Sequence, residues 1–148
     1  TDGSEHSIAM ARTLASLPFP GDTEVTLLCV IYSPLTDIPE RFAVEINERV
    51  KNIVASEREK EFGEAENTID ETIDAMGGKF GKVDRVTRQG DPSEEILKTA
   101  EDMNADIIAV GSSGMSGIKG LLGSVSRYVL NHSGCSVLIG KSQAVTSR

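Results

Sequence analysis

The sequence predicts an α/β fold, an open doubly wound parallel sheet of about five strands with helices on both faces. Three observations carry this. Helical apolar stripes alternate with short apolar runs along the whole chain. The runs "EVTLLCVIY" and "ADIIAVG" are continuous and β-rich rather than alternating, as in strands covered on both faces. Clusters of Gly, Pro and Asp separate the two kinds of segment.

The elements follow in order. "SEHSIAMARTLASL" places Ile8, Ala11, Leu14, Ala15 and Leu17 on one helical stripe, and "PFPGD" breaks it. The strand "EVTLLCVIY" and the loop "SPLTDIPE" come next. A long helical stretch runs from about Arg41 to Ala75, with Ala43, Ile46, Val50, Ile53 and Val54 on one face. Gly63 is a candidate interruption, Ile69, Ile73 and Met76 resume the stripe, and "GGKFG" ends it. "KVDRVTRQ" alternates weakly and reads as a strand nearer an edge. "GDPSEEILKTAEDM" is a turn and a helix turning Ile96, Leu97 and Ala100 inward; either Asp91 or Ser93 could cap it. Then come "ADIIAVG", a glycine-rich loop, the helix "SVSRYVLNHS" and a last strand "CSVLIGK". The order α-β-α-β-α-β-α-β requires helices on both faces of a parallel sheet.

Such a sheet ordinarily begins with a strand. Thr1, Asp2, Gly3 and Ser4 read as the end of a strand and the following cap, so the expectation is a first strand upstream of Thr1. Residues 1–148 read as a single domain without repeat, linker or low-complexity segment.

Composition narrows the function. Hydrophobic residues make up 39% and charged residues 26%, as in a soluble globular domain. The formal charge of −8 argues against nucleic-acid binding, which needs clustered Lys and Arg. No apolar run approaches the roughly 18 residues of a membrane span, and the opening "TDGSEHS" does not resemble a signal peptide. Cys29 and Cys135 both lie in apolar runs and read as buried thiols of a reducing cytoplasm. A redox pair would use closer spacing.

The stretch "VGSSGMSGIKGLLGSVSRYVL" joins a strand to a helix where ligands of such sheets sit. N–H groups at a helix start attract anions, phosphate above all. Gly111 and Gly114 would let the chain turn and approach a phosphate, and Gly123 with Ser124 would present N–H groups and a hydroxyl. The patterns G-x-x-x-x-G-K-[ST], G-x-G-x-x-G and G-x-S-x-G are all absent. A plain surface loop serving topology is the competing reading.

"TDGSEHS", "GDPSEEIL" and "GSSGMSGIKGLLGSVSRYVLNHSGCSVLIGK" together resemble the universal stress protein family, in order and over nearly the whole chain. The resemblance implies a single α/β domain, often a homodimer, and the glycines place it with the ATP-binding subgroup. That subgroup's pattern is G-x-x-G, nine residues, then G-[ST]. Gly111 and Gly114 match the first pair, and Gly123-Ser124 the last. Asp2 matches the acidic residue that meets the nucleoside, and Val30 the strand position that holds adenine through its backbone. Val110, Ser113, Val125 and Ser126 complete the implied nucleotide set. Between Gly114 and Gly123 stand eight residues, "MSGIKGLL", where the family has nine.

Other residues read more plainly. Asp2 is equally a helix N-cap, and Ser124 and Ser126 suit a double role as caps and ligands. His6 and His132 accompany no Ser or Cys motif, and His132 suits a helix C-terminus. "ASEREKEFGEAENTIDETID" reads as a solvated helix face, and Met76, Met103 and Met115 as core or loop fillers. No cluster suits a protein-only metal site; Mg²⁺ would ride on ATP phosphates. The leading expectation is an ATP-binding regulatory protein of the stress response, homodimeric through Cys135 to Lys141, cytoplasmic, without catalytic residues. The alternatives are a slow ATPase or autophosphorylating enzyme, and a dimerisation module without nucleotide. Efficient phosphoryl transfer wants a cation on the transferred phosphate and a placed base. The loop offers only Lys119 for the first and nothing for the second.

Overall fold

The computed structural model describes residues 1–32, 48–113 and 122–141. The Glu5–Ser16 helix (α1) starts where predicted: the Ser4 hydroxyl accepts from Ser7 N at 3.3 Å and caps it. β1 (Val25–Ile31) follows, then α2 (Glu48–Ala75). α2 runs unbroken through Gly63, so the candidate interruption does not occur. β2 (Val83–Gln89) leads to α3 (Pro92–Asp102), β3 (Ile107–Gly111), α4 (Ser124–His132) and β4 (Ser136–Gly140). The cap of α3 is Asp91, whose Oδ1 accepts from Ser93 N at 2.9 Å and Glu94 N at 3.1 Å, with Pro92 in the first turn.

The described strands form two parallel pairs. β1 pairs with β2, Val25 opposite Val83 through Ile31 opposite Gln89. β3 pairs with β4, Ile107 opposite Ser136 through Gly111 opposite Gly140. α1 and α2 pack side by side on one face, α2 over β1 and β2 and α1 over β3 and β4; α3 and α4 pair on the other. This is the predicted α/β class. Four strands are described, and the fifth of the expected sheet is not among them.

The core lies under α1 and α2. Leu27, Cys29 and Ile31 of β1 pack with Ala11, Ala65, Ile69 and Met76. Burial there also pushes the Cys29 thiol above its usual range. Two expectations need correcting. The stripe of α2 is not uniformly interior: Ala65, Ile69 and Thr72 are buried, whereas Val50, Ile53 and Phe62 are exposed. The second half of the helix alone supplies its core face. β3 is not buried throughout either. Ile108 is, but Ile107 is exposed and Ala109 and Val110 are half-buried; among the described residues β3 has a bonded strand on one side only. Cys135 is likewise half-buried rather than buried.

Gly111 shows how closely α1 approaches β3. A Cβ on Gly111 would lie 2.8 Å from both His6 C and Ser7 N, backbone atoms that cannot turn aside. Gly111→Ala therefore overpacks this contact and lowers stability by about 1–3 kcal/mol, measured by urea denaturation. Gly21→Ala, with nothing within 4 Å of its Cβ, is the control. An unchanged midpoint for Gly111→Ala would show that α1 retreats freely.

Candidate functional site

A cavity of about 570 Å³ opens at the carboxyl ends of β1 and β3. Its mouth is lined by Asp2, Val30, Tyr32, Gly111, Ser113 and the first residues of α4. Its deeper part runs between β1 and β3, along Leu28 and Ala109. The volume suits a small organic ligand.

Backbone direction gives β1 an edge here that has no strand partner among the described residues. Ile31 O accepts from Gly90 N at 3.1 Å, on the β2 side. Leu28 O accepts from the Thr1 nitrogen at 2.6 Å, on the opposite side. Alternate residues of a parallel strand turn both N–H and C=O to the same neighbour. Val30 therefore shares the direction of Leu28 and turns its backbone donor and acceptor away from β2, where the cavity lies.

Asp2 sits at the rim, exposed as a residue, with Oδ1 accepting from Ser4 N at 3.0 Å. It makes a turn ahead of α1 and is not the cap, which is Ser4. Partial desolvation pushes its carboxyl up, but hydrogen bonds from Ser4 and Ser7 outweigh this and hold it below the usual carboxylate range. Behind it, Thr1 Oγ1 lies 3.1 Å from Ser7 Oγ and 2.9 Å from Thr72 Oγ1, a small network of hydroxyls.

The opposite wall is the start of α4. Gly123 is its N-cap and offers no side-chain cap. Its N–H donates to Ser112 O at 2.7 Å. The N–H groups of Ser124, Val125 and Ser126 have no acceptor within the helix, since a first turn never provides one. All three residues line the cavity. Ser124 does not act as a cap. The Ser126 hydroxyl is committed elsewhere, donating to Ser112 O at 3.0 Å and Gly123 O at 3.1 Å. Ser126 therefore reaches the site through its N–H and not through its side chain. Of the remaining expected residues, Val110 and Gly111 of β3, Ser113 and Val125 all lie along the cavity. Gly114 falls outside the described residues, as do Lys119 and Met115.

Two features were not legible beforehand. Ser112 Oγ lies 3.3 Å from His6 Nδ1, although 106 residues separate them. Nothing in the local sequence of either announces the contact. Tyr32 also lines the cavity, and only its place just after the apolar run of β1 could have suggested it. His132 lies in the last turn of α4 as expected and stacks on Tyr128, ring centres 4.0 Å apart. Among the described residues no group of three or more His, Cys, Asp or Glu could hold a metal ion, and no helix is long and apolar enough to cross a membrane.

The chain resembles known proteins in both sequence and fold. The chain is 31% identical over 144 residues to universal stress protein MJ0531 of Methanocaldococcus jannaschii, covering 95% of this chain and 78% of that protein. It is 34% identical to universal stress protein YxiE of Bacillus subtilis, with 93% of each covered. The solved structure of MJ0577, also from M. jannaschii, superposes with a TM-score of 0.69 at 33% identity, over 97% of this chain and 93% of that one. A universal stress protein solved in complex with cAMP shares the fold, with a TM-score of 0.63 at 20% identity over 97% and 93% of the two chains. The sequence pattern of the universal stress protein family matches residues 1–141, and this chain belongs to that family.

Proposed function

We propose that this chain binds an adenine nucleotide, ATP foremost, at the mouth of the cavity, and that it works as a single-domain regulatory protein whose bound form presents a surface to partners. The observation that carries the reading is convergence. The backbone edge of Val30 turned away from β2, the Asp2 carboxylate and the N–H groups of Ser124, Val125 and Ser126, which have no acceptor within the helix, border one cavity. Each suits a different part of a nucleotide: base edge, ribose hydroxyls and phosphate. A cAMP complex in a protein of the same fold supports the ligand class. No Lys or Arg lines the cavity among the described residues. Phosphates would be held by N–H dipoles, with Mg²⁺ on the triphosphate offsetting its charge. That arrangement suits retention better than phosphoryl transfer, which calls for a positioned cation and base. β4 has β3 alone as a partner among the described strands. Its free edge supports pairing with a second copy through Cys135 to Lys141.

The α4 wall gives a clean test. Ser124 is the first helical residue and Gly123 before it is extended, with φ −62° and ψ 161°. Both positions tolerate a proline at 124. Ser124→Pro removes one phosphate-facing N–H while the helix stays formed. ATP affinity by calorimetry should fall about tenfold to a hundredfold, the loss of one hydrogen bond to a charged group. Ser124→Ala separates the hydroxyl from the N–H. A folded Ser124→Pro protein with native ATP affinity would remove α4 from the site.

Asp2 tests the ribose wall. Its folded carboxyl titrates below its unfolded value. The contribution of the ionised form is therefore fully present above the unfolded value of about 3.9 and lost as pH falls through the depressed folded one. ATP affinity should stay flat from about pH 8 to pH 5 as far as Asp2 is concerned. Asp2→Asn should weaken binding about tenfold across that range. Unchanged affinity would restrict Asp2 to the turn before α1.

The assembly is tested by light scattering. A mass of two chains at micromolar concentration is expected, and a mass of one chain excludes the β4 pairing.

A further inference from the structure

We infer that Tyr32 is a base-recognition residue: its ring closes over the face of the bound heterocycle, against the wall formed by Pro92 and Ile96 of α3. The inference rests on the nucleotide reading above and extends it to a residue that reading does not use.

Tyr32 is 70% exposed, more than any other large hydrophobic residue described. An aromatic ring so open has little to pack against in the free protein. Yet Tyr32 is not at a remote surface point, because it lines the cavity mouth together with Val30, Pro92 and Ile96. Strand parity supports its direction. Leu27, Cys29 and Ile31 turn into the core under α1 and α2. Leu28 and Val30 turn to the other face, where α3 packs on β1. Tyr32 follows directly in the parity of Leu28 and Val30. Pro92 and Ile96 belong to that same face. A heterocycle held at its edge by the Val30 backbone would therefore have its α3-side face next to Pro92, Ile96 and Tyr32. A planar base offers Tyr32 the apolar surface it lacks, and stacking on tyrosine accepts any base with a π-face.

The consequence is a division of labour. The Val30 edge reads the hydrogen-bonding pattern of the base, while Tyr32 contributes affinity that depends on the base and not on the phosphates.

The experiment uses the full 148-residue chain and titrates ATP and adenosine by calorimetry into wild type, Tyr32→Phe and Tyr32→Ala, with circular dichroism on each. Tyr32→Ala should lose about tenfold for ATP and by the same factor for adenosine, and Tyr32→Phe should retain wild-type affinity. The chain has two tyrosines and no tryptophan, so Tyr128→Phe leaves Tyr32 as the sole reporter of intrinsic fluorescence. That emission should quench on adding adenosine. Wild-type affinity in a folded Tyr32→Ala protein that binds ATP overturns the inference and leaves the nucleotide reading standing. So does a loss confined to ATP, or one that Phe does not rescue. Failure of wild type to bind either ligand overturns both.

Discussion

Ser112 is the residue on which the geometry of the site depends. It stands just after β3 and all its polar groups are engaged. Its N–H donates to Gly140 O at 2.6 Å, extending the β3–β4 ladder by one rung. Its carbonyl accepts from Gly123 N at 2.7 Å and from the Ser126 hydroxyl at 3.0 Å, which fixes where α4 begins. Its own hydroxyl meets His6 of α1 at 3.3 Å. One residue, 4% exposed, thus ties both strands of a pair to a helix on each face of the sheet. The two walls of the cavity, the approach to α1 and the start of α4, are held at their spacing through it. Satisfying so many buried polar groups at one point makes the arrangement rigid, since releasing any partner strands a donor or acceptor away from water.

The cavity lies between the two described strand pairs. β1 and β3 border it from opposite sides, and neither has a second strand partner among the described residues. At the mouth the Val30 backbone turns toward the cavity. Deeper in, the same gap is lined by apolar side chains such as Leu14, Leu28 and Met76. The Thr1 nitrogen donates to Leu28 O and so lies along the β1 edge.

Elements with strong periodicity or punctuation were legible in the sequence. The apolar run of β1, the Asp91-Pro92 start of α3 and the Ser4 cap each carry their own local signal, and each lies where that signal put it. The helix start at Ser124 was legible for the same reason. What was not legible depends on residues distant in sequence. The exposure of Val50 and Ile53 depends on which turns of α2 meet the sheet, and a helical stripe says nothing about that. The Ser112–His6 contact and the committed hydroxyl of Ser126 arise only when α1, β3 and α4 meet. Tyr32 looked like the last residue of a buried strand and is instead the rim of a cavity.

The glycines show most clearly how fold and site overlap. Gly111 and Gly123 match positions of the family's glycine pattern, yet both also sit at close packing contacts. A Cβ on Gly111 would strike the backbone of α1, and one on Gly123 would press Ser113 Cα at 3.2 Å. Neither glycine has a positive φ, so backbone strain is not the reason for either. Close approach of chain to chain brings α1, β3 and α4 together, and the same closeness exposes the first N–H groups of α4 to the cavity. Packing alone thus calls for a glycine at 111, and a side chain at 123 would require Ser113 to give by a few tenths of an ångström. Substituting either glycine confounds folding with binding. Residues that face the cavity without holding the junction separate the two: Asp2 at the rim, the N–H of Ser124 and the ring of Tyr32.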